Sequence, residues 1–402
     1  MGEWLEVPFA EAIDFQEGPG IMAADFRDDG VPLIRLAGLE RGGTVLAGCN
    51  FLDPSTVQRR WAHFALREGD ILLSSSASLG RIAAVGAEAE GAIPYTGIIR
   101  MRPRDERVHA PFIRYLLEAP DFQRQAEIAG VGSVMRHFGP MHLRQMTVSL
   151  PPVGTQRRIA GILGALDEKI ELNRRTSETL EATARALFRR WFLRPEASRD
   201  WPIEPLAAHL EVIRGLSYKG DGLASTGVPL HNLNSVYEGG GYKPDGIKWY
   251  SGPYAERHTV EPGDVIVTNT EQGHDRLLIG HAALVPGSFG RLGLFSHHLY
   301  RVRPRPGSVL SRSFVTYLLN SQAMHDLVSG YSNGTTVQML PVEALQQPAI
   351  RIPPASLIRR FDALATISHQ RQEIARGEAR ALAMLRDALL PRLLSGPTRE
   401  TA

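Results

Sequence analysis

The chain has 402 residues, of which 43% are hydrophobic and 22% charged, and its formal net charge is +2. This length and hydrophobic content favour two domains, each with its own core. The single cysteine, Cys49, excludes an intrachain disulfide and a zinc site built from several cysteines. The N-terminus lacks the pattern of a signal peptide, and no apolar run approaches roughly 18 residues, so we expect a cytoplasmic protein without a membrane span.

The chain is an internal duplication, because several segments recur in the same order at a nearly constant offset. The matching pairs are Trp4–Ala10 with Trp201–Ala207, Val31–Leu36 with Val228–Leu233, Gly69–Ser74 with Gly263–Thr268, Ile99–Arg104 with Tyr300–Arg305, Gly132-Ser133 with Gly334-Thr335, and Pro151-Pro152 with Pro353-Pro354. The repeats agree in their framework and differ in their loops. This favours two binding modules with different targets, and the alternative is a duplication that only enlarges a scaffold.

Each repeat has the same predicted order of elements. A strand-rich module punctuated by Gly, Pro and Ser comes first, followed by a short helix at 111–117 or 313–319. A glycine loop and a short extended run then lead to a Pro-Pro pair. Because proline is tolerated in the first turn of a helix, this pair predicts the start of a long helix in each repeat.

The first long helix carries apolar residues spaced alternately four and three apart, which indicates a heptad seam. A helix of about 40 residues is roughly 60 Å long, so its seam needs a second long helix as partner. The second repeat supplies one from about residue 354 to 394. The predicted seam residues are Ile159, Leu163, Leu166, Ile170, Asn173, Leu180, Leu187 and Trp191 in the first helix, and Phe361, Leu364, Leu382 and Leu385 in the second. Asn173 either sets the register or is a tolerated polar residue beside a gap in the partner.

The motifs that catalysis would require are missing from the sequence. The Pro-Pro pairs in Leu150–Val153 and Ile352–Ala355 lack the amide or carboxylate before them and the aromatic residue after them that an adenine methyltransferase uses. No Gly-Lys-Ser/Thr segment of an ATP-binding loop occurs. Asp167-Glu168-Lys169 lies on the heptad helix, and His297-His298 lacks a third ligand at metal spacing. We therefore predict no catalytic residues and no metal site in this chain.

The start of the first long helix resembles that of the specificity subunits of type I restriction–modification systems. The resemblance rests on Leu150-Pro151-Pro152, on Gln156–Ile159 and on Leu166–Arg175, and the duplicated layout extends it over essentially the whole chain. The second helix departs from this pattern, because Ser356–Phe361 replaces the glutamine-arginine opening and no Asp-Glu-Lys-Ile segment follows.

The resemblance implies an α+β fold with two tandem mixed α/β target-recognition domains separated by two long helices that pair as an antiparallel coiled coil. The expected boundaries are 1–150 and 196–352 for the recognition domains, 151–195 and 353–397 for the helices, and 398–402 for a tail. Each recognition domain would bind one half of a bipartite, asymmetric site in double-stranded DNA, and the helices would fix the spacer between the halves.

The resemblance also implies a non-catalytic subunit that recruits modification (methyltransferase) and restriction (translocase and nuclease) subunits. S-adenosylmethionine, ATP and Mg²⁺ would then be bound by those partners and not by this chain. Two alternatives stay open from the residues alone. One is a DNA-modifying enzyme with unrecognised motifs, and the other is a duplicated scaffold that does not bind DNA.

Direct readout of DNA needs polar and basic side chains presented on loops. Three classes of loop recur in both repeats: one after an early strand, one after the Gly-Asp strand, and the glycine loop. The predicted DNA-binding residues on them are Arg35, Ser74, Ser75, Ser76, Arg81, Ser133, Arg136 and His137 in the first repeat, and Asn232, Asn234, Asn269, Thr270, Gln272, Arg276, Asn333, Thr335, Thr336 and Gln338 in the second.

Overall fold

The computed structural model describes residues 4–40, 44–75, 80–129, 138–194, 198–273, 275–334 and 336–395. The chain divides into two compact units. The first comprises Met1–Arg174 and Glu378–Ala402, and the second comprises Arg175–Gly377. Both divisions fall inside the long helices, so each unit contains one strand-rich module and a part of each helix.

The first strand-rich module leads directly into the first long helix. Its strands are β1 Leu5–Pro8, β2 Ile13–Glu17, β3 Phe26–Arg27, β4 Val31–Ile34, β5 Asn50–Leu52, β6 Ile71–Ser74, β7 Ile82–Ala84, β8 Ile93–Pro94, β9 Ile98–Pro103 and β10 Thr147–Leu150. Its helices are α1 Phe9–Ala12, α2 Pro54–Thr56, α3 Ala110–Glu118, α4 Pro120–Ala129, α5 Pro140–Gln145 and the long α6 Val153–Phe192. A π-helical turn at Val57–Trp61 and 3₁₀ turns at Ala23–Asp25, Leu36–Leu39, Ala62–Phe64 and Ala87–Ala89 complete it.

The second module has the same general order. Its strands are β11 Ile203–Pro205, β12 Leu210–Arg214, β13 Leu223–Ala224, β14 Val228–His231, β15 Lys248–Tyr250, β16 Thr259–Val260, β17 Val265–Thr268, β18 Thr270–Gln272, β19 Ala282–Leu284, β20 Gly293–Phe295, β21 Leu299–Pro304, β22 Val337–Met339 and β23 Ala349–Arg351. Its helices are α7 Leu206–His209, α8 Arg312–Leu319, α9 Gln322–Ser329 and the long α10 Ala355–Leu394. Its 3₁₀ turns are Gly220–Gly222, Leu233–Ser235, Pro244–Gly246, Glu256–His258, Gly287–Phe289 and Val342–Leu345.

The sheets of the two units share one topology. The order β2-β9-β6-β7 in the first unit matches β12-β21-β17-β19 in the second, and β1-β10 matches β11-β23. Two further sheets, β3-β5-β4-β8 and β13-β15-β14-β20-β16, each contain one parallel pair, β4 with β8 and β14 with β20. The second unit also contains the two-stranded sheet β18-β22. The predicted α+β class is confirmed, and the matched strand order gives the sequence duplication a structural counterpart.

A buried aspartate pairs with a half-buried arginine in the central sheet of each unit. Gly69 and Gly263 adopt φ values of +84° and +86°, a region that favours glycine, and they turn the chain into β6 and β17. The aspartate that follows each glycine accepts from an arginine on the neighbouring strand: Arg102 Nε lies 2.5 Å from Asp70, and Arg303 Nε lies 2.7 Å from Asp264. In each repeat, the Gly-Asp segment therefore contacts the Arg-Pro-Arg segment through this ion pair. The contact explains why both segments recur in the two repeats.

Within each unit, α6 and α10 run antiparallel, as predicted. In the first unit, Arg386 Nη1 donates to Asp167 at 2.7 Å, and Asn173 Nδ2 donates to Glu378 at 3.0 Å. Later residues of α6 therefore meet earlier residues of α10. In the second unit, the Phe361 ring packs edge-on against Phe188 and Phe192. The contact with Glu378 favours a specific polar partner for Asn173 over a gap.

The buried stripe of α6 includes the predicted Ile159, Leu163 and Asn173, while Leu166, Ile170, Leu180, Leu187 and Trp191 are half-buried. On α10, Phe361 is buried and Leu382 is half-buried. The prediction is wrong for Leu364 and Leu385, whose side chains are 43% and 48% exposed. The buried stripe of this helix instead follows Ile358, Phe361, Ala365, Ser368, Gln372 and Ala375. Many residues of this buried stripe are small or polar. The prediction relied on large apolar residues and therefore selected a different face of the helix.

Within the described residues, no helix has the length and hydrophobicity that crossing a membrane requires.

Candidate nucleic-acid interface

Two of the predicted loop classes come together in the second unit. Strand β18, which follows the Gly-Asp strand, pairs antiparallel with β22, which follows the glycine loop, so that Thr270 faces Met339 and Gln272 faces Val337. A two-stranded ribbon of this kind fits the major groove of DNA. In the first unit, the backbone N–H of Phe138 donates to the Ser75 carbonyl at 3.1 Å, as that of Leu340 donates to Asn269 at 2.8 Å. The two classes of loop are thus joined in both repeats.

Several predicted contact residues in the first unit have their polar groups engaged inside the protein. Ser74 and Ser75 are fully buried; the Ser74 hydroxyl accepts from the Arg81 backbone, and the Ser75 hydroxyl donates to Glu17. The Arg35 guanidinium lies 4.1 Å from the centre of the Tyr95 ring. Arg81 is more exposed and pairs with Glu40 at 3.1 Å. Ser76, Ser133, Arg136 and His137 lie outside the described residues.

In the second unit, the predicted residues separate into a buried set and an exposed set. The buried side chains are Asn232, Asn269, Thr270 and Gln338, and each bonds to a nearby loop: for example, Asn232 Nδ2 donates to the Gly246 carbonyl at 2.6 Å. The exposed side chains are Asn234, Gln272, Arg276, Asn333 and Thr336. Thr335 lies outside the described residues. The buried set fixes the shape of the loops, and the exposed set is available to a ligand.

Glu271 lies in the segment that follows the Gly-Asp strand, among the predicted DNA-binding residues of the second repeat, and its carboxylate bonds inside the protein. Its carboxylate accepts the backbone N–H groups of Leu277, Leu278 and Ile279 at 2.9, 3.1 and 2.9 Å. Between this carboxylate and its partners the chain forms a loop that carries Arg276, which has a φ of +55°. Glu271 therefore anchors the base of the loop that presents Arg276. The sequence gives no local signal for this role, because the three N–H groups that the carboxylate accepts belong to residues six to eight positions later in the chain.

A group of basic and imidazole side chains adjoins the same ribbon. Arg214 Nε donates to the His297 carbonyl at 3.2 Å, and His298 Nδ1 lies 2.9 Å from the Thr270 hydroxyl. Burial lowers the pKa of His297, and the charge of Arg214 lowers it further. Burial, His297, Arg214 and Lys248 lower the pKa of His298 in the same direction. Both imidazoles therefore favour the neutral state at neutral pH, while Arg214 and Lys248 supply positive charge.

Each unit also connects its strand-rich module to α6 through one tyrosine. Tyr115 donates to Asp167 at 2.9 Å in the first unit, and Tyr317 donates to Glu181 at 3.0 Å in the second. Burial opposes the charge of Glu181, yet Arg185, His369 and the Tyr317 hydroxyl hold its pKa below the ordinary value. Within the described residues, no group of three or more His, Cys, Asp or Glu side chains is arranged to hold a metal ion.

Comparison with known proteins adds independent evidence. The family model described as "Type I restriction modification DNA specificity domain" matches residues 56–182. The type I restriction enzyme MjaIX specificity subunit of Methanocaldococcus jannaschii is 22% identical over 355 residues, which are 83% of this chain and 78% of that subunit. Over most of its length the chain is similar to type I restriction–modification specificity subunits. This similarity confirms the resemblance found in the sequence.

Other type I specificity subunits match over shorter stretches. The MjaVIII specificity subunit of the same archaeon is 24% identical over 183 residues, and this match covers 43% of that subunit. The HindI specificity subunit of Haemophilus influenzae is 30% identical over 134 residues, or 29% of its length. The crystal structure of a type I S subunit from M. genitalium aligns with a TM-score of 0.65 at 14% identity, covering 98% of this chain and 97% of that one. That likeness supports the fold of a specificity subunit.

Proposed function

We propose that this chain is a type I specificity subunit that binds a bipartite, asymmetric sequence in double-stranded DNA, with one recognition domain for each half-site. The proposal rests on one observation: the two repeats share the same strand order and the same backbone hydrogen bonds at their loops, but carry different side chains on those loops. The joined loops include Ser75 in the first repeat and Asn269 in the second, and both residues make equivalent backbone hydrogen bonds. These bonds join the described ends of the loops in the same way in both domains, and the exposed loop residues would then set the target.

The exposed side chains of the second domain have the chemistry of base recognition. Asn and Gln pair with adenine through two hydrogen bonds, and Arg pairs with guanine in the same way. Gln272, Arg276 and Asn333 supply these groups on the two sides of the β18–β22 ribbon. The buried Asn269, Thr270 and Gln338 act indirectly, because their hydrogen bonds hold the ribbon and its neighbouring loops in one conformation.

In the proposed organisation, residues 1–150 and 196–352 are the recognition domains and the long helices between and after them set the spacer. The tyrosine bonds to α6 support this role, since Tyr115 and Tyr317 tie each strand-rich module to a carboxylate on that helix. Arg386 extends the first connection to α10 by donating to Asp167. A domain fixed to its helix segment keeps its half-site at a fixed place along the duplex.

The exposed face of α10 supports docking of a modification subunit. Leu364, Ile367 and Ile374 form an apolar stripe at spacings of three and seven, and they are 43%, 57% and 63% exposed. A helix of the partner with its own apolar stripe would bury this face. We further propose that the modification and restriction subunits bind S-adenosylmethionine, ATP and Mg²⁺, and that the complex works in the cytoplasm.

Selection from a library of randomised DNA duplexes tests the proposal. The purified full-length chain should enrich two short motifs separated by a spacer of constant length. The double variant Gln272→Ala/Asn333→Ala should change base preference in one motif only, and the matched control Gln322→Ala/Asn320→Ala should leave both motifs unchanged if it folds. Absence of DNA binding by the folded chain would favour the scaffold alternative. Methyl transfer by the isolated chain would favour the enzyme alternative.

A further inference from the structure

Glu17 and Arg214 occupy the same position in the two repeats. Glu17 ends β2 and faces Ile99 on β9, while Arg214 ends β12 and faces Tyr300 on β21. Each is followed by a buried glycine whose backbone N–H bonds to the first residue of the neighbouring strand: Gly18 to Ile98 at 2.9 Å and Gly215 to Leu299 at 3.1 Å. The backbone is the same in both repeats, and the charge of the side chain is reversed.

The two glycines enforce this common geometry. A Cβ atom on Gly18 would lie 2.1 Å from the Pro94 carbonyl oxygen, and one on Gly215 would lie 2.2 Å from the Ser296 carbonyl oxygen. Such contacts are far closer than van der Waals packing allows, so only glycine permits the chain to approach this turn. The side chains of Glu17 and Arg214 are therefore held at the same place beside the turn that precedes β9 or β21.

Within the described part of the chain, each side chain uses only one of its polar atoms, Oε1 of Glu17 or Nε of Arg214, to bond to that turn or to a neighbouring side chain. Glu17 Oε1 accepts from the Gly97 backbone at 3.1 Å and from the Ser75 hydroxyl at 3.4 Å. Arg214 Nε donates to the His297 carbonyl at 3.2 Å. Among the described residues, neither Oε2 of Glu17 nor the two Nη atoms of Arg214 has a hydrogen-bond partner. Each side chain is thus oriented by the protein and keeps hydrogen-bonding capacity for a ligand.

We infer that Glu17 and Arg214 determine base specificity at equivalent positions of the two half-sites, Arg214 by donating to guanine and Glu17 by accepting from the amino group of cytosine. This inference rests on the proposed function. Arg pairs with O6 and N7 of guanine, and carboxylates accept from N4 of cytosine. A phosphate is excluded at this position if both domains dock in the same way, because the carboxylate of Glu17 would repel it.

The surroundings of the two side chains agree with these assignments. The charge of Arg214 contributes to lowering the pKa of both His297 and His298, so positive charge faces two neutral imidazoles and a base edge with two acceptors is favoured there. Glu17 has the Gly97 N–H and the Ser75 hydroxyl as its donors, and no arginine or lysine of the described residues forms an ion pair with it. A carboxylate without a cationic partner is suited to a neutral donor such as a base amino group.

Selection from randomised duplexes with the full-length chain tests the inference. Arg214→Ala should abolish a guanine preference at one position of one half-site, with discrimination falling roughly tenfold or more. Arg214→Lys keeps the charge but loses the two-pronged geometry, so it should relax the same position with a smaller loss of affinity. Glu17→Gln, which still accepts from Gly97, should relax a cytosine preference at one position of the other half-site.

Arg305→Ala is the matched control, because Arg305 Nε also donates to a backbone carbonyl, that of Ala207, at the opposite end of the β12–β21 pair. It should leave both motifs unchanged. Uniform weakening by Arg214→Ala across all sequences, with a salt dependence lower by about one unit of slope, would identify a phosphate contact and overturn the inference. Unchanged motifs in folded variants would also overturn it. If the wild-type chain itself enriches no motif, the proposed function fails instead.

Discussion

Arg102 binds Asp70 through two nitrogen atoms, Nε to Oδ1 at 2.5 Å and Nη2 to Oδ2 at 2.7 Å. The equivalent Arg303 binds Asp264 in the same way at 2.7 and 2.5 Å. Both carboxylates are buried, and each also accepts a backbone N–H from the turn before it. The pair therefore ties a turn to two strands of the central sheet, and the recognition loops begin at the other end of those strands.

Removing the cation of this pair should destabilise the first unit. Arg102→Met leaves the buried Asp70 carboxylate without its charged partner, and we expect a loss of roughly 3–5 kcal/mol in the free energy of unfolding. Urea denaturation followed by circular dichroism measures it. Arg107→Met is the control, since the Arg107–Asp105 pair is exposed to solvent and its loss should change stability far less. Equal effects of the two substitutions would contradict the structural role of Asp70.

The two faces of α10 should respond differently to truncation. Phe361 is fully buried among aromatic rings, so Phe361→Ala should cost roughly 3–5 kcal/mol of stability. Leu364 is 43% exposed, so Leu364→Ala should change stability by less than about 1 kcal/mol. The same Leu364→Ala variant should weaken co-purification with the modification subunit. A large loss of stability from Leu364→Ala in the isolated chain would instead place Leu364 in the helix seam.

Loss of the Tyr317 hydroxyl should loosen the second module from α6. Tyr317→Phe removes a hydrogen bond to the Glu181 carboxylate, with an expected cost of roughly 1.5–3 kcal/mol. Because the pKa of Glu181 is lowered in the fold, its stabilisation is present above the pKa of an unfolded glutamate and is lost as the pH falls through the folded pKa. The variant should therefore lose less stability on acidification than the wild type. The exposed Tyr254→Phe is the control, and a steeper acid dependence in Tyr317→Phe would refute the prediction.

His231 should make the second unit sensitive to mild acid. Burial lowers its pKa from 6.5 to about 4, so the unfolded chain binds a proton between these values that the folded chain does not. Stability is therefore full above pH 6.5 and falls as the pH drops toward 4, by roughly 2 kcal/mol at pH 5. His231→Gln should flatten the dependence of unfolding free energy on pH in this window. His63→Gln, at an exposed histidine, should not, and an unchanged slope in His231→Gln would show that other groups cause the effect.

The sequence by itself determined the duplication, the two long helices and the absence of recognisable catalytic motifs. These features follow from local sequence patterns: a heptad spacing, a Pro-Pro pair at the start of each long helix, and repeated Gly-Asp and Arg-Pro-Arg segments. Such patterns follow from backbone geometry and from the periodicity of one element, which neighbouring residues along the chain specify. The antiparallel sense of the helix pair followed from the order of the elements.

Only the tertiary structure decided which groups are buried. The seam of α10 uses Ala365, Ser368 and Gln372 where the sequence favoured Leu364, because burial depends on the surface of the partner helix and not on hydrophobicity alone. The same holds for the recognition loops. Ser75 and Asn269 are polar residues near chain reversals, yet both are buried, since folding brings Ser75 against the Glu17 carboxylate and Asn269 against the His297 carbonyl, both far away in the sequence. Buried polar groups require hydrogen-bond partners, so a polar loop side chain becomes buried where the fold places such a group beside it and stays in solvent elsewhere.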